Sequence, residues 1–313
     1  MAGDTVLALD VGGTKLAAGL VKARGGKVGR VATAPTPPGN GERVWRSLTA
    51  LVYRCVTGKI DDVVAVGVAC PGPMNAIDGT VSPVNIPGWR DFPLRARLAE
   101  LTGAPTTLAN DAVCAALGEY RWGAGRGTTS MLGMVISTGV GGGLILQGRV
   151  YAGPTGNAGH IGHAVADPEG EPCPCGGRGC VETMASGPSM VRRARAAGWP
   201  GPPGATAVDL TMDASLGDPV ALAAFGDAGR ALAVAIVSAA ALVDLDMVVI
   251  GGGVAAAGDL ILRPTIEHCG RYAGMAFIRR LRITAASLAG PTAGLLGAAA
   301  LAVEQDPERA VHR

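Results

Sequence analysis

The segment VLALDVGGTKLAAGLV, residues 6–21, carries the clearest architectural signal in this chain. Apolar residues alternate with small or polar ones on both sides of GGTK, which predicts a β-hairpin that turns at this tetrapeptide. The DVGGTK motif at residues 10–15 also combines an acid, two glycines, a hydroxyl and a cation. Glycines let backbone N–H groups approach an anion, so the turn suits a phosphate, although an ordinary hairpin turn has the same pattern.

Two further glycine loops follow apolar strands later in the chain, STGVGGG at residues 137–143 and GGGVA at residues 251–255. Residues 131–150 repeat the strand, glycine turn and strand of the opening hairpin. Because predicted strands alternate with predicted helices elsewhere, we expect an α/β fold with two related halves. Glycine loops at the carboxyl ends of strands are typical of a nucleotide-binding cleft, whereas the Walker A pattern is absent.

The remaining elements follow from hydrophobic periodicity and length. The predicted helices cover residues 41–57, 90–102, 112–123, 188–197, 219–243, a segment from Leu260, and residues 292–305. The predicted strands between them lie within residues 61–72, 106–111, 246–254 and 282–288.

Composition excludes several classes of protein. Of 313 residues, 48% are hydrophobic and 17% are charged, which predicts a sizeable core and excludes extended disorder. The net charge of +2, with no dense run of Lys or Arg, gives no support for a nucleic-acid partner. The longest apolar run, residues 231–243, is too short to span a bilayer and is predicted as a buried helix, so we expect no membrane partner and a cytoplasmic location.

The seven cysteines fall into two groups. Cys55, Cys70, Cys114 and Cys269 are scattered in apolar surroundings and are predicted to be core residues. The others form C-x-C-x4-C ten residues after His163, and one imidazole with three thiolates is the tetrahedral set that zinc prefers. A disulfide would leave one cysteine of the cluster unpaired. We therefore predict a closed, structural zinc site with ligands His163, Cys173, Cys175 and Cys180.

The tripeptide AND, residues 109–111, ends a short predicted strand just before a predicted helix. A side chain at this position is commonly a helix cap. In a cleft that faces a phosphate, the carboxylate of Asp111 could instead accept a hydroxyl proton during phosphoryl transfer. Both interpretations stay open from the residues alone.

Together these motifs resemble the ROK family (repressors, open reading frames and kinases) of the actin-like hexokinase superfamily, over nearly the whole chain. The resemblance is carried by LALDVGGTK, CPGP at residues 70–73, SPVNIPGW at residues 82–89, AND, STGVGGG, GHIGH followed by CPCGGRGCVET, and GGGV. It implies two actin-like (ribonuclease H-like) ATPase domains around a central cleft. The small domain would comprise residues 1–115 plus about 298–313, and the large domain residues 116–297.

The resemblance also implies a kinase that uses ATP and Mg²⁺ to phosphorylate a sugar hydroxyl, and a homodimer or homotetramer. Asp111 would be the general base and Asp10 would organise Mg²⁺. The other expected substrate ligands are Gly72, Asn85, Asn110, His160, His163 and Glu182. The other expected nucleotide-binding residues are Gly12, Gly13, Thr14, Lys15, Thr138, Gly139 and Gly252.

One position departs from the family pattern, which reads E-x-G-H before the zinc cluster, whereas this chain has HIGH at residues 160–163. A carboxylate offers only acceptors, but a neutral imidazole offers one donor and one acceptor. Losing a paired acceptor in a buried site costs about 1–3 kcal/mol. Two explanations remain. Either His160 still contacts glucose through a rearranged network, or the substrate differs, for example a C7-cyclitol with a primary alcohol, N-acetylmannosamine or fructose.

A non-catalytic role is the third hypothesis, because the family includes DNA-binding repressors. Those proteins carry a helix-turn-helix module ahead of the phosphate loop, and here the loop begins at Asp10. The presence of Asp111 also argues for catalysis. We therefore expect a kinase and not a ROK regulator or sensor.

Overall fold

The computed structural model describes residues 5–22, 25–57, 60–288, 290 and 292–304. Its strands are β1 (Thr5–Val11), β2 (Lys15–Lys22), β3 (Lys27–Pro35), β4 (Val63–Ala69), β5 (Met74–Asn75), β6 (Thr80–Val81), β7 (Thr106–Ala109), β8 (Met131–Ile136), β9 (Val140–Leu146), β10 (Arg149–Tyr151), β11 (Met247–Gly251) and β12 (Arg282–Ala285). Its α-helices are α1 (Gly41–Val56), α2 (Leu94–Thr102), α3 (Asp111–Trp122), α4 (Glu182–Ala185), α5 (Gly187–Ala196), α6 (Ala207–Ser215), α7 (Pro219–Val243), α8 (Asp259–Tyr272), α9 (Ala276–Arg279) and α10 (Thr292–Glu304).

The chain divides into two compact units. The first unit combines Met1–Arg126, Val150–Ala158 and Ser287–Arg313, and the second combines Gly127–Arg149 and Gly159–Ala286. The domain limits expected at residues 115 and 298 fall inside α3 and α10, and the first unit contains both helices whole. The outer ends of the expected small domain, residues 1–4 and 305–313, lie outside the described residues.

The first unit is built on a five-stranded sheet in the order β3-β2-β1-β4-β7. The opening hairpin pairs β1 with β2 in antiparallel fashion, with Asp10 opposite Ala17, as its alternating sequence predicts. β4 and β7 continue the sheet in parallel with β1. Because the carboxyl ends of parallel strands meet at one edge, the residues that follow β1, β4 and β7 share that edge.

In the first unit, helices α3 and α10 pack so closely that their backbones are in contact. A Cβ added at Gly118 of α3 would overlap the carbonyl oxygen of Ala293, and one at Gly297 of α10 would overlap that of Cys114. A Cβ at Gly67 of β4 would likewise overlap the carbonyl oxygen of Ala298. Glycine therefore sets how closely α10 approaches both α3 and the sheet.

The second unit has a sheet of the same design, in the order β10-β9-β8-β11-β12. Its hairpin β8–β9 is antiparallel, and β11 and β12 extend the sheet in parallel with β8. Two sheets with a hairpin followed by parallel strands bear out the predicted α/β architecture of two related halves.

Helix α7 lies in the core of the second unit. Among the described residues, one helix, α7, is long and apolar enough to cross a membrane, and 56% of its most apolar window is buried inside the protein. Phe225, Leu232 and Ile236 are at most 1% exposed and belong to the second unit's hydrophobic core. The long helix packs against α8, α4, α5 and α6, as expected for a core helix.

The helix predicted from Arg90 begins instead at Leu94, so that prediction was wrong by one turn. Phe92 exchanges two backbone hydrogen bonds with Val81, each 3.0 Å long, and therefore lies in extended structure. Pro93 also disfavours helical backbone at the residue before it. Helices α4 and α6 were not predicted, although the capping box of Thr206 and Asp209 marks the start of α6.

Candidate active site

The DVGGT turn joins β1 to β2 and is closed by hydrogen bonds within the first unit. The backbone N–H of Gly12 donates to the carbonyl of Lys15 over 2.9 Å. Thr36, at the end of β3, donates its hydroxyl to the carbonyl of Gly12 (2.6 Å) and its N–H to that of Thr14 (2.9 Å). Thr14 and Lys15 themselves are exposed. Thr36 was not predicted, because no local sequence signal links it to a turn 22 residues earlier.

Asn85 lies against this turn. A Cβ added at Gly13 would come within 2.7 Å of the Asn85 side chain, so the approach requires glycine. Asn85 is exposed and sits in the irregular segment after β6. A predicted substrate ligand therefore lies beside a predicted nucleotide-binding residue.

Asp10 is a largely buried acid on β1, immediately before the turn. Its pKa is raised to about 6, mainly by burial and also by the negative charge of Asp111, with the positive charge of Lys15 partly offsetting both effects. Its Oδ2 faces the first turn of α10, where a Cβ at Gly294 would lie 3.1 Å away. A carboxylate next to another carboxylate is the kind of oxygen ligand that holds Mg²⁺.

Asn110 and Asp111 lie where β7 gives way to α3. Asn110 is the N-cap residue, since its Oδ1 accepts the backbone N–H of Ala112 over 3.0 Å. Asp111 is the first residue of α3, and its Oδ1 accepts the same N–H over 2.8 Å. Asn110 occupies the N-cap position and Asp111 shares its capping hydrogen bond, and the Asp111 carboxylate is also a candidate for proton transfer. Gly72 follows β4, the strand next to β7.

In the second unit, two glycine loops meet at the end of β8. Residues 137–139 turn into β9, with the N–H of Ser137 donating to the carbonyl of Gly139 over 2.8 Å. Gly252, after β11, has a φ of 96°, and a Cβ there would overlap the carbonyl oxygen of Ile136. Thr138 and Gly252 are exposed. The predicted nucleotide-binding residues of this unit are thus brought together.

Glu182 lies against the same loop. Its Oε2 accepts the N–H of Val140 over 2.8 Å, and a Cβ at Gly139 would lie 2.7 Å from that oxygen. This contact with the nucleotide-side loop was not predicted. It ties the residue that follows the cysteine cluster to the start of β9.

The two histidines of AGHIGH flank a glycine that is packed on β9. A Cβ added at Gly162 would overlap the carbonyl oxygen of Val140, and one at Gly159 would lie 2.8 Å from that of Gly142. The rings of His160 and His163 are 6.3 Å apart between centroids, at 22° to each other. His160 is half-buried, whereas His163 is exposed and belongs to the cysteine cluster.

The ligand atoms of His163, Cys173, Cys175 and Cys180 all lie within 4.8 Å of one another. The Sγ of Cys173 is 3.8 Å from Nδ1 of His163, and the Sγ atoms of Cys175 and Cys180 are also 3.8 Å apart. Tetrahedral zinc with Zn–S bonds of about 2.3 Å places two sulfurs about 3.8 Å apart. The four residues therefore fit a zinc ion.

The thiols of this cluster differ in their surroundings. Burial, together with the neighbouring thiols of Cys173 and Cys175, raises the pKa of Cys180, whereas the backbone N–H of Gly177 lowers the pKa of Cys175. Zinc deprotonates coordinating thiols outright, so all three would bind as thiolates. The four cysteines outside the cluster are buried core residues, as predicted.

Comparison with known proteins identifies the chain's relatives. A profile described as the ROK family matches residues 6–305. The glucokinase of Streptomyces coelicolor is 32% identical to this chain, over 96% of this chain and 98% of its own length. The N-acetylmannosamine kinase of Yersinia pestis is 37% identical, over 79% of this chain and 82% of its own length. The ROK hexokinase of Thermus thermophilus has a TM-score of 0.85 at 36% identity, covering 97% of this chain and 99% of its own. A ROK glucokinase from Streptomyces griseus, in complex with glucose and AMPPNP, has a TM-score of 0.83 at 34% identity. The match covers 96% of this chain and 99% of the glucokinase.

Proposed function

The chain belongs to the ROK family and is an ATP-dependent sugar kinase, and we propose that it phosphorylates a primary hydroxyl of a glucose-like hexose with Asp111 as general base. The similar proteins include glucokinases and an N-acetylmannosamine kinase. Because these enzymes differ in the sugar they phosphorylate, we infer the sugar substrate from this chain's own residues.

The observation that carries this proposal is the carboxylate pair beside the DVGGT turn. Asp10 lies near the end of β1 and Asp111 follows β7, at one edge of the first unit's sheet, and the charge of Asp111 raises the pKa of Asp10. Phosphoryl transfer depends mainly on positioning and on neutralising phosphate charge. Asp10 would hold Mg²⁺, which supplies that neutralisation when bound, while Asp111 accepts the proton of the attacking hydroxyl.

We assign nucleotide binding to the glycine turns of both units. In the first unit these residues are Gly12, Gly13, Thr14 and Lys15, and in the second unit Thr138, Gly139 and Gly252. Exposed Thr14, Lys15 and Thr138 offer hydroxyl and ammonium donors suited to phosphate oxygens. Glycines at the remaining positions keep the backbone accessible to an anion.

We assign sugar binding to Gly72, Asn85 and Asn110 in the first unit and to His160, His163 and Glu182 in the second. Glu182 uses Oε2 to hold Val140, and we assign its Oε1 to a substrate hydroxyl. His163 would bind both the sugar and the zinc ion. Its ring nitrogen Nδ1 faces the cysteines and would be the zinc ligand.

His160 supports a second candidate, a kinase for a C7-cyclitol or for another non-glucose sugar. An imidazole replaces the acceptor-only carboxylate of the family pattern, so a substrate that offers an acceptor or lacks one hydroxyl would pair with it better. The hexose remains our first proposal because the rest of the sugar-side pattern matches the family.

One kinetic comparison separates the two candidates. We would measure kcat/KM for glucose, mannose, fructose, N-acetylmannosamine and a C7-cyclitol with the wild type, His160→Glu and His160→Gln. If the substrate is a hexose, glucose gives the highest wild-type kcat/KM. His160→Glu then raises the kcat/KM for glucose roughly tenfold, because it restores the carboxylate that accepts hydrogen bonds from the sugar. His160→Gln is the matched control, because it offers a donor and an acceptor but no carboxylate. A cyclitol preference in the wild type, reversed by His160→Glu, would overturn the hexose proposal.

We also propose a structural zinc ion on the His163 cluster, a cytoplasmic location and a homodimer or homotetramer. The zinc proposal is supported by the spacing of the ligand atoms. Light scattering coupled to size-exclusion chromatography would establish the number of subunits.

A further inference from the structure

Glu119 is a buried carboxylate that the proposed chemistry does not use. It lies on α3, eight residues after Asp111, and is 3% exposed. Most of the residues around it on α3 are small or apolar. A charge buried in such surroundings needs hydrogen bonds to be tolerated.

The carboxylate of Glu119 accepts hydrogen bonds from three residues. Its Oε1 accepts the N–H of Leu288 over 2.7 Å and that of Ser287 over 3.0 Å. Its Oε2 accepts the N–H of Ala124 over 2.8 Å and the hydroxyl of Ser287 over 3.2 Å. All of these donors are uncharged, which suits an ionised carboxylate that only accepts.

These bonds join the end of α3 to the segment that leads into α10. Ala124 follows α3 by two residues, and Ser287 and Leu288 precede α10. The backbone contacts at Gly118 and Gly297 set how closely α10 approaches α3. Because the bonds of Glu119 hold the segment just before α10 to the end of α3, they oppose sliding of α10 along α3.

The same two helices contact both catalytic carboxylates. α3 begins at Asp111, and the first turn of α10 lies against Asp10 at Gly294. Sliding of α10 would therefore move the surface that backs Asp10 while Asp111 stays with α3.

We infer that Glu119 is a positioning residue, which holds α10 in register with α3 and thereby fixes Asp10 relative to Asp111. This inference rests on the proposed function, in which both carboxylates act during phosphoryl transfer. Glu119 contacts neither substrate nor nucleotide in this role.

The test compares Glu119→Gln with Glu304→Gln. Glutamine keeps the shape of Glu119 but turns an NH2 group towards N–H donors. Glu304 is the matched control, since it pairs with Arg121 and also joins α10 to α3, but at the opposite end of α10 from Gly294. Each variant is assayed for kcat and KM at a temperature where circular dichroism shows it folded. The anchoring of α10 is measured by hydrogen–deuterium exchange of its backbone amides.

We expect Glu119→Gln to lower kcat on the order of 10- to 100-fold, the effect of a small misplacement of reacting groups, with each KM changed less than about threefold. The backbone amides in the first turns of α10 should exchange about tenfold faster or more, because the start of the helix is no longer held to α3. Glu304→Gln should keep kcat within about twofold and leave exchange in these turns unchanged.

The inference is overturned if folded Glu119→Gln keeps its kcat and its slow amide exchange at the start of α10, or if Glu304→Gln changes both equally. Should Glu119→Gln not fold, Glu119→Asp replaces it, since it keeps the charge but shortens the reach, and kcat should again fall with KM preserved. If the wild type phosphorylates no sugar, the proposed function fails, whereas amide exchange at the start of α10 in the two variants still tests the role of Glu119.

Discussion

At the scale of single residues, Asp111 has the most specific predicted role. Replacing Asp111 with Asn removes the proton acceptor but keeps the shape and the N-terminal position on α3. We expect kcat to fall about 10²- to 10⁴-fold, with zinc content and unfolding midpoint unchanged. Steady-state kinetics and metal analysis measure these quantities. Retention of more than a tenth of the wild-type kcat would contradict the assignment of the general base.

Asp10 should make stability depend on pH in the opposite sense from a salt-bridged acid. Its folded pKa of about 6 exceeds the ordinary 3.8, so the native state binds more protons than the unfolded state between these values. Stability therefore falls as pH rises through that window and stays lower above it. Asp10→Asn lacks this effect. Without Mg²⁺ it should be more stable than the wild type by up to about 3 kcal/mol at pH 8, and the gap should close below about pH 4.

Urea unfolding of both proteins at several pH values measures this difference. The same variant should lose kinase activity, because amide groups hold Mg²⁺ less well than carboxylates. An unchanged or growing gap at low pH would contradict the burial of a charged Asp10.

The sequence identified the residues of the site better than it identified their neighbours. Asp10, Asn110 and Asp111 are recognisable because motifs place them at strand ends. Thr36 and Glu119 act through distant backbone groups, so no local pattern marks them. The single available sign of Glu119 is an acid among small and apolar residues on a buried helix.

At the scale of elements, the cysteine loop offers a direct test of zinc binding. We expect one zinc ion per chain by elemental analysis, and its loss in Cys175→Ser together with a lower unfolding midpoint, because the closed site stabilises the fold. Cys269→Ala is the matched control, since this buried thiol lies outside the cluster and its loss should leave the zinc in place. Zinc-free wild-type protein, or a Cys175→Ser protein that keeps its metal, would refute the site.

The contact between α3 and α10 predicts a large effect from one methyl group. In Gly297→Ala the new Cβ would overlap the carbonyl oxygen of Cys114, which is backbone and cannot rotate away. We expect a loss of about 3 kcal/mol or more in the free energy of unfolding. Gly270→Ala, on an exposed part of α8 with open space around it, should instead gain about 0.5–1 kcal/mol. Chemical denaturation compares the two, and similar changes in both would contradict the close packing.

Elements with strong periodicity were predictable, and short or polar ones were not. The hairpin β1–β2 and the long helix α7 follow directly from apolar spacing. Helix α6 was missed because its Asp and Thr residues weaken the apolar pattern, even though its capping box was readable. The start of α2 depends on the tertiary pairing of Phe92 with Val81, which no local window contains.

At the scale of the whole molecule, the first unit is discontinuous in sequence and the second is nearly continuous. A fragment of residues 127–286 contains the whole second unit and its cysteine loop, so we expect it to fold and to unfold cooperatively. A fragment of residues 1–126 lacks α10, which packs on β1, β4 and α3. We expect it to show no cooperative transition until residues 287–304 are attached through a Gly/Ser linker.

Thermal unfolding followed by circular dichroism distinguishes these fragments. If residues 1–126 alone melt at the midpoint of the linked protein, α10 is not needed for the first unit. The domain limits could not be placed by composition, because the chain leaves the first unit within glycine-rich loops that resemble its other turns.

The position of α10 has a consequence during protein synthesis. The ribosome makes residues 1–126 first, yet the helix that covers Gly67 and Gly118 emerges only after the entire second unit. At about 5–20 residues per second, this interval lasts on the order of 10–30 s. Throughout it, the nascent chain has all five strands of the sheet and helix α3 but lacks the helix that packs on them, so apolar surface is open to chaperones and to aggregation. A premature stop codon that removes only α10 would therefore leave residues 1–126, made long before it, without the helix that completes their packing.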